Sequence, residues 1–227
     1  ENIAIGSYSL DALTTTSNIV AIGHQSCGAL TTGGANVAVG SQALASVTDG
    51  DSNTAVGHLA LQDSTGSANT AMGRAALLEN TTGGNNTAIG TYTLDANTTG
   101  DNNTAIGRQA LSSNTTASNN TSVGYQSMLD NTTGAGNTAV GNVALANNTT
   151  ASSSTAIGRG ALNAATTGTG NTAVGRDAGL SVTTGGNNVA IGHDAGDTTI
   201  TTGDGNIVIG YNVNLGAAGQ ENEIVIG

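Results

Sequence analysis

The feature that most constrains this chain is a short phrase, Asn86-Thr87-Ala88-Ile89-Gly90, repeated in close copies from one end to the other. Anchored on its glycine, the phrase ends at Gly6, Gly23, Gly40, Gly57, Gly73, Gly90, Gly107, Gly124, Gly141, Gly158, Gly175, Gly192, Gly210 and Gly227. Successive anchors are 17 residues apart, save one interval of 16 (Gly57 to Gly73) and one of 18 (Gly192 to Gly210). A locked period of this length implies a solenoid, in which each repeat is one coil that buries apolar surface only by stacking on its neighbours. Residues 1–227 are therefore read as a single repeat array rather than as separate globular domains. With 35 Gly, no Pro, Trp or Phe and 8% charged residues, the composition alone would also suit a disordered chain. Aliphatic residues held in register exclude that reading.

The formal net charge of −11, with four Arg and no Lys against 15 acidic residues, excludes a nucleic-acid or anionic-membrane partner. The single Cys27 excludes an intrachain disulfide. No apolar run reaches the roughly 18 residues of a spanning helix, so no membrane insertion by this segment is expected. The chain opens at Glu1 already in phase and stops on an anchor glycine. Solenoids carry atypical capping repeats, so a fragment of a longer fibre protein is expected.

The residue before the anchor is always aliphatic or Met: Ile5, Ile22, Val39, Val56, Met72, Ile89, Ile106, Val123, Val140, Ile157, Val174, Ile191, Ile209 and Ile226. Stacked coil on coil, these form a ladder that is assigned to the core. Ala precedes it almost throughout. Neighbouring strand residues point to opposite faces, so Ala and Ile cannot both face inward, and an Ala-rich stripe is expected outside. Four residues after the anchor lies a second ladder of Leu10, Leu44, Leu61, Leu77, Leu94, Leu111, Met128, Leu145 and Leu162, whose slot Cys27 shares as a small buried hydrophobe. Each coil thus reads as two short apolar strands joined near the glycine, closed by a polar loop such as Asn97-Thr98-Thr99-Gly100. The fold class is all-β, a parallel β-solenoid of 17-residue coils, flattened as a β-roll. Length variation falls in the loop, at Ser64-Thr65-Gly66 and around Thr199-Ile200.

All four Arg and all three His share the slot just after the anchor. This column supplies the candidate recognition residues His24, His58, Arg74, Arg108, Tyr125, Arg159, Arg176, His193 and Tyr211. One reading is a solvated edge shielded by long side chains; the other is a stripe that recognises an acidic or glycan surface. Arg159 and Arg176 lie on adjacent coils about 5 Å apart, where like charges repel unless water or an anion screens them. No metal site is expected: His24 and His58 are two coils apart, about 10 Å, too far for one zinc ion. Asp51, Asp101 and Asp204 recur too sporadically for a calcium array. No acid recurs beside the histidines, so no catalytic set is suggested, and the glycine phrases lack the Lys of a phosphate loop. The chain is read as a non-enzyme without cofactors.

Two polar ladders complete the pattern. Asn36, Asn53, Asn69, Asn86, Asn103, Asn120, Asn137, Asn171, Asn188 and Asn206 stand four before the anchor, where amides hydrogen-bond from coil to coil. Asn80, Asn97, Asn114, Asn131 and Asn148 head sequons, glycan sites in a eukaryotic secretory setting and turn residues elsewhere. The paired loop threonines suggest an ice-binding surface, but adjacent side chains point oppositely and do not make a flat face.

The phrases Asn-Thr-Ala-Ile-Gly, Asn-Thr-Ala-Val-Gly and Asn188-Val189-Ala190-Ile191-Gly192 resemble the head repeats of YadA-like trimeric autotransporter adhesins. With Ala-Leu and Asn-Thr-Thr-Gly following, they resemble still more the repeat shafts of tail-fibre-type proteins that carry a C-terminal intramolecular chaperone. The resemblance covers the whole chain, although the adhesin head repeat is typically shorter. It implies a left-handed parallel β-roll, assembly as a homotrimer, and an extracellular, cell-surface or virion location. The expected function is the structural and adhesive shaft or head of a fibre, partnered by copies of itself and by a cell-surface glycan or protein receptor. The alternative is a monomeric ice- or glycan-binding solenoid.

Overall fold

In the computed structural model, which describes residues 1–227, the chain is all-β. It forms two compact units, residues 1–116 and 117–227. The first unit contains β1 (Asn2–Ile5), β2 (Ile19–Ile22), β3 (Val37–Val39), β4 (Thr54–Val56), β5 (Thr70–Met72), β6 (Thr87–Ile89) and β7 (Thr104–Ile106). The second contains β8 (Thr121–Val123), β9 (Thr138–Val140), β10 (Thr155–Ile157), β11 (Thr172–Val174), β12 (Val189–Ile191), β13 (Ile207–Ile209) and β14 (Ile224–Ile226). Within each unit the strands are parallel and follow chain order. Equal slots pair, as in Thr87 with Thr104 and Ile89 with Ile106, or Thr155 with Thr172 and Ile157 with Val174. Each unit is a parallel β-solenoid with one strand per coil, as the period implies.

The strand faces are reversed relative to the sequence-based expectation. The Ala column is buried, with Ala21, Ala38, Ala55, Ala71, Ala88 and Ala105 at 0% exposure in the first unit and Ala139, Ala156 and Ala173 likewise in the second. Ile5, Ile22, Val39, Val56, Met72, Ile89, Ile106, Val123, Val140, Ile157, Val174, Ile191, Ile209 and Ile226 all stand on the outer face, and none is buried. Ile89 and Ile106 are 37% exposed and Ile157 40%. The physical reason is the width of the coil. The interior is filled from the opposite wall by Leu44, Leu61, Leu77, Leu94 and Leu111, and by Met128, Leu145 and Leu162, each exposed by no more than 1%. Against a full-size side chain from that wall, a coil of this size takes a methyl group; a second branched chain would overpack it. The expected outer Ala stripe is therefore an outer stripe of Val, Ile and Thr.

The Leu wall also departs from expectation, because it is not a strand. The residues two and four after the anchor adopt left-handed backbone angles, as at Tyr92 (φ 54°) and Leu94 (φ 52°), and this recurs from coil to coil. Such angles cost non-glycine residues about 1–2 kcal/mol each. They alternate the direction of the peptides, so one wall bonds to both neighbours: Leu94 N–H donates to the Ala110 carbonyl at 3.0 Å, and Gln109 N–H donates back to the Thr91 carbonyl at 3.1 Å. The anchor glycine turns the chain into this wall. At Gly57 (φ 141°) a Cβ would lie 2.5 Å from the Gly73 carbonyl oxygen, so only glycine fits.

The Asn column is buried and satisfies the backbone between coils. Asn36 Oδ1 accepts from Asn53 N–H at 2.8 Å, and Asn36 Nδ2 donates to the Gly50 carbonyl at 2.7 Å. The arrangement repeats at Asn53, Asn86, Asn137 and Asn188. Where Ser154 takes the slot, its hydroxyl still accepts from Asn171 N–H at 3.2 Å. The amide it lacks is replaced by Asn171 Nδ2, which reaches the Gly168 carbonyl at 3.0 Å.

The sequon asparagines begin the loop segment but point inward, and in each unit they form a second interior ladder. Asn80, Asn97, Asn114, Asn131 and Asn148 are all at 0% exposure. Their amides bond directly, Asn97 Nδ2 to Asn80 Oδ1 at 2.7 Å and Asn148 Nδ2 to Asn131 Oδ1 at 2.6 Å. The nitrogen that a glycan would modify is the ladder's donor. Elsewhere this slot holds buried Leu30, Val47 and Val182. The Thr that follows turns its hydroxyl to the next coil's carbonyl, as Thr81 Oγ1 does to Thr98 at 2.8 Å. In the long repeat the added residue lies between Gly196 and Ile200: Thr183 pairs with Thr201, so Ile200 takes the buried slot of Val182, at 0% exposure, with its side chain in the space that Gly196 leaves.

Cys27 sits in the Leu wall at 0% exposure, as expected, and burial pushes its thiol up to about 12. The folded thiol keeps its proton to higher pH than the unfolded one. Its contribution is therefore intact below the ordinary value of 9.0 and is lost as the pH rises toward about 12. A thiol reagent at pH 8 should leave the native protein unlabelled and label one thiol in denaturant; a Cys27→Leu variant should lack that part of the alkaline decline. In denaturant titrations Asn36→Ala should cost more than Asn86→Ala. The first leaves both Asn53 N–H and the Gly50 carbonyl unpartnered, at about 1–3 kcal/mol each. The second leaves only Asn103 N–H, because Asn97 Nδ2 still donates to the Gly100 carbonyl.

Candidate functional site

The anchor glycine turns the chain from the strand into the left-handed wall, and the two residues after it lie on the outside of that bend. All nine candidate residues are on this edge. His24, His58, Arg74 and Arg108 are exposed in the first unit; Tyr125, Arg159, Arg176 and Tyr211 are exposed and His193 half-buried in the second. The structure brings six of them, His24, Arg74, Arg159, Arg176, His193 and Tyr211, into small groups with residues of the next slot. In the first unit the Tyr8 ring meets His24 edge-on with centroids 6.0 Å apart, and the Arg74 guanidinium lies 5.2 Å over the Tyr92 ring.

The second unit carries a charge ladder. Arg159 Nη2 donates to Asp177 Oδ2 at 2.6 Å, and Arg176 Nε approaches the same oxygen at 3.3 Å. Arg176 Nη2 lies 3.6 Å from Asp194 Oδ2, which His193 Nε2 approaches at 3.5 Å. The His193 ring stacks on Tyr211 at 5.2 Å. The anion that screens Arg159 from Arg176 is thus the chain's own Asp177, only 14% exposed. Asp194 stands beside His193, a single pair rather than an acid that recurs along the histidine column. Neither acid stands out within a single column; the signal lies across two slots, in the dipeptides Arg176-Asp177 and His193-Asp194.

The other polar candidates have structural partners. Asp51, Asp101 and Asp204 accept from the backbone N–H of Gly34, Gly84 and Gly186 on the preceding coil, at 2.6, 2.7 and 2.6 Å. Asp95 is pushed above the usual carboxylate range by burial, with the Ser112 hydroxyl acting in the opposite sense. No group of three or more His, Cys, Asp or Glu side chains is arranged to hold a metal ion. No helix is long and apolar enough to cross a membrane. Comparison with protein-family models, curated proteins and solved structures gives no match.

What this edge offers chemically is ionic, aromatic and hydrogen-bonding contact at one residue pair per coil, with half of each arginine still open to solvent. Replacing Asp177 by Asn keeps a residue that tolerates the left-handed backbone and leaves two arginines unscreened. The expected loss is about 1 kcal/mol at low salt. It should shrink as salt rises, whereas Asp130→Asn should change nothing, as thermal melts at two ionic strengths can measure.

Proposed function

We propose that this chain is the structural and adhesive shaft or head of an extracellular or virion fibre, and that it assembles as a parallel homotrimer through its strand face. The observation that carries the reading is the unpaired apolar ladder on that face: Met72, Ile89 and Ile106 in one unit, Ile157, Val174 and Ile191 in the other, all 36–42% exposed. In both units a Thr column flanks it, two residues earlier. A continuous exposed apolar stripe on a regular surface is the usual mark of an interface. Three parallel copies related by a threefold axis would set equal slots against one another, so a ladder that repeats every coil meets its own copy along its whole length. The charged and aromatic edge stays outside, since stacking Arg159 and Arg176 of three chains together would add like charges in a dry environment. Attachment then arises from many weak contacts repeated along and around the fibre.

One specific observation favours the monomeric ice-binding alternative. On β4 and β6 to β11 the outward pair is Thr and Ile or Val, two residues apart and in register, so within those coils a flat array of hydroxyls and methyls lies on the strand face and not on the Thr-Thr loops. Native mass decides between them. The fibre reading expects a trimer that falls to monomers in the Ile89→Asp/Ile106→Asp double variant, with an unchanged far-ultraviolet circular dichroism spectrum. A wild-type monomer that slows ice growth, and loses that effect when Thr87 and Thr104 are replaced by Asp, would overturn the fibre reading in favour of the alternative.

A further inference from the structure

We propose that the first unit carries a second recognition element, a groove that binds a short segment of an uncharged oligosaccharide. It deepens the attachment reading by naming a ligand class and a place, and rests on that reading only for its purpose. The groove measures about 350 Å³, at the low end of the range of about 300–1,000 Å³ for small-ligand sites. It lies across the outer side of the left-handed wall on the first coils.

The groove exists because of one column. Five residues after the anchor, the chain places half-buried Leu78, Leu129 and Leu180 in other coils, but Gly28 and Ala45 here. The missing side chains leave a floor of backbone and methyl groups. Asp11 and Gln62 stand in the same column on the flanking coils and close its two ends. One long wall is made by the column two after the anchor. There, left-handed angles at Tyr8, Gln25 and Gln42 (φ 57°, 56° and 59°) aim successive side chains outward in a row.

The lining selects the ligand. Gln42 Nε2 donates to Gln25 Oε1 at 3.3 Å, which orients both amides and leaves Gln25 Nε2 as a donor and Gln42 Oε1 as an acceptor for a ligand. Each planar amide offers a donor or acceptor of the kind that vicinal hydroxyls pair with, and Gln62 adds both. Tyr8, 62% exposed, presents a ring on which the C–H face of a pyranose can rest while its hydroxyl stays wet. No Arg lines the groove and one carboxylate does, so sulfated, sialylated and phosphorylated ligands are disfavoured.

The test uses the full chain in solution, titrated in the millimolar range with neutral malto-, cello- and chito-oligosaccharides, and with sulfated heparin oligosaccharides as the anionic probe. Binding is read by ligand-observed saturation-transfer NMR. Saturable binding of a neutral probe is expected. Ala45→Leu, which fills the floor with a residue the same slot carries elsewhere, should abolish it without lowering the melting temperature. Gln42→Ala should weaken it about tenfold, as expected for lost hydrogen bonds. Three results would each overturn the proposal: no saturable binding of any neutral probe, unchanged binding by Ala45→Leu, or preference for the sulfated probe. The readout does not depend on oligomeric state. A monomer that binds sugar through this groove leaves the groove standing and removes only the fibre, whereas a trimer that binds none does the reverse.

Discussion

A buried asparagine that behaves as a piece of backbone is the interaction on which the rest of the structure depends. Each strand is only three residues long in most coils, too short to hold consecutive coils in register by its own ladder. The Asn four before the anchor extends that ladder with its side chain. Its oxygen accepts the N–H of the same slot one coil on and its nitrogen donates to a turn carbonyl, so both groups find partners where water does not reach. An insertion outside the loop would break this pairing at every slot it displaced. That is why the short repeat loses its residue in the loop segment, and why the long repeat adds one between Gly196 and Ile200 and leaves Ile200 in its regular interior slot.

The same ladder sets which side of the strand is inside. Residues two apart share a strand face, so an inward Asn requires an inward Ala and an outward Val or Ile. The coil then has a core of Ala, Leu and amides, and its most hydrophobic strand column faces away. Packing within one chain and apolar surface left for another chain are therefore not independent choices. A narrower interior moves hydrophobic burial from the coil to whatever covers the strand face.

This also explains which parts were legible in the sequence. Period, columns and coil-to-coil pairing were all visible, because stacking places equal slots together. Inside and outside were assigned from hydrophobicity, Ile over Ala, and this failed because the coil is too narrow for Ile. The parity of Asn86 and Ala88 was the better signal: once the Asn ladder is taken as structural, Ala88 must face inward with it. The left-handed wall was not readable from Gln, Leu and Tyr, which carry no preference for such angles. In contrast, Asn85, Asn102 and Gly136 at the other left-handed position do carry one. The candidate edge was legible as a column of basic residues, but its partners lay one slot further on and became visible only as pairs across coils.

What can vary on such a chain follows from what each slot touches. The anchor glycine, the Ala column and the Asn ladder four before the anchor each touch the neighbouring coil through the interior, so their identities are nearly constant. The Leu wall and the slot seven after the anchor are interior too, and vary only among side chains that fit there, such as Cys27 and Gly179 in the first and Leu30, Val47 and Asn80 in the second. The slots one, two and five after the anchor touch solvent and the same slots on adjacent coils. There the chain runs from His24 and Gln25 through Leu59 and Tyr92 to Arg159, Arg176 and Asp194 without altering the coil beneath. Because each coil bonds chiefly to its neighbours, a change at one of these slots has consequences one coil away and little further. A groove at Gly28 and Ala45 and a charge ladder at Asp177 and Asp194 can therefore arise on one scaffold by exchanging a few outward side chains. Specific surface chemistry and a uniform core are carried by different slots of the same 17-residue coil.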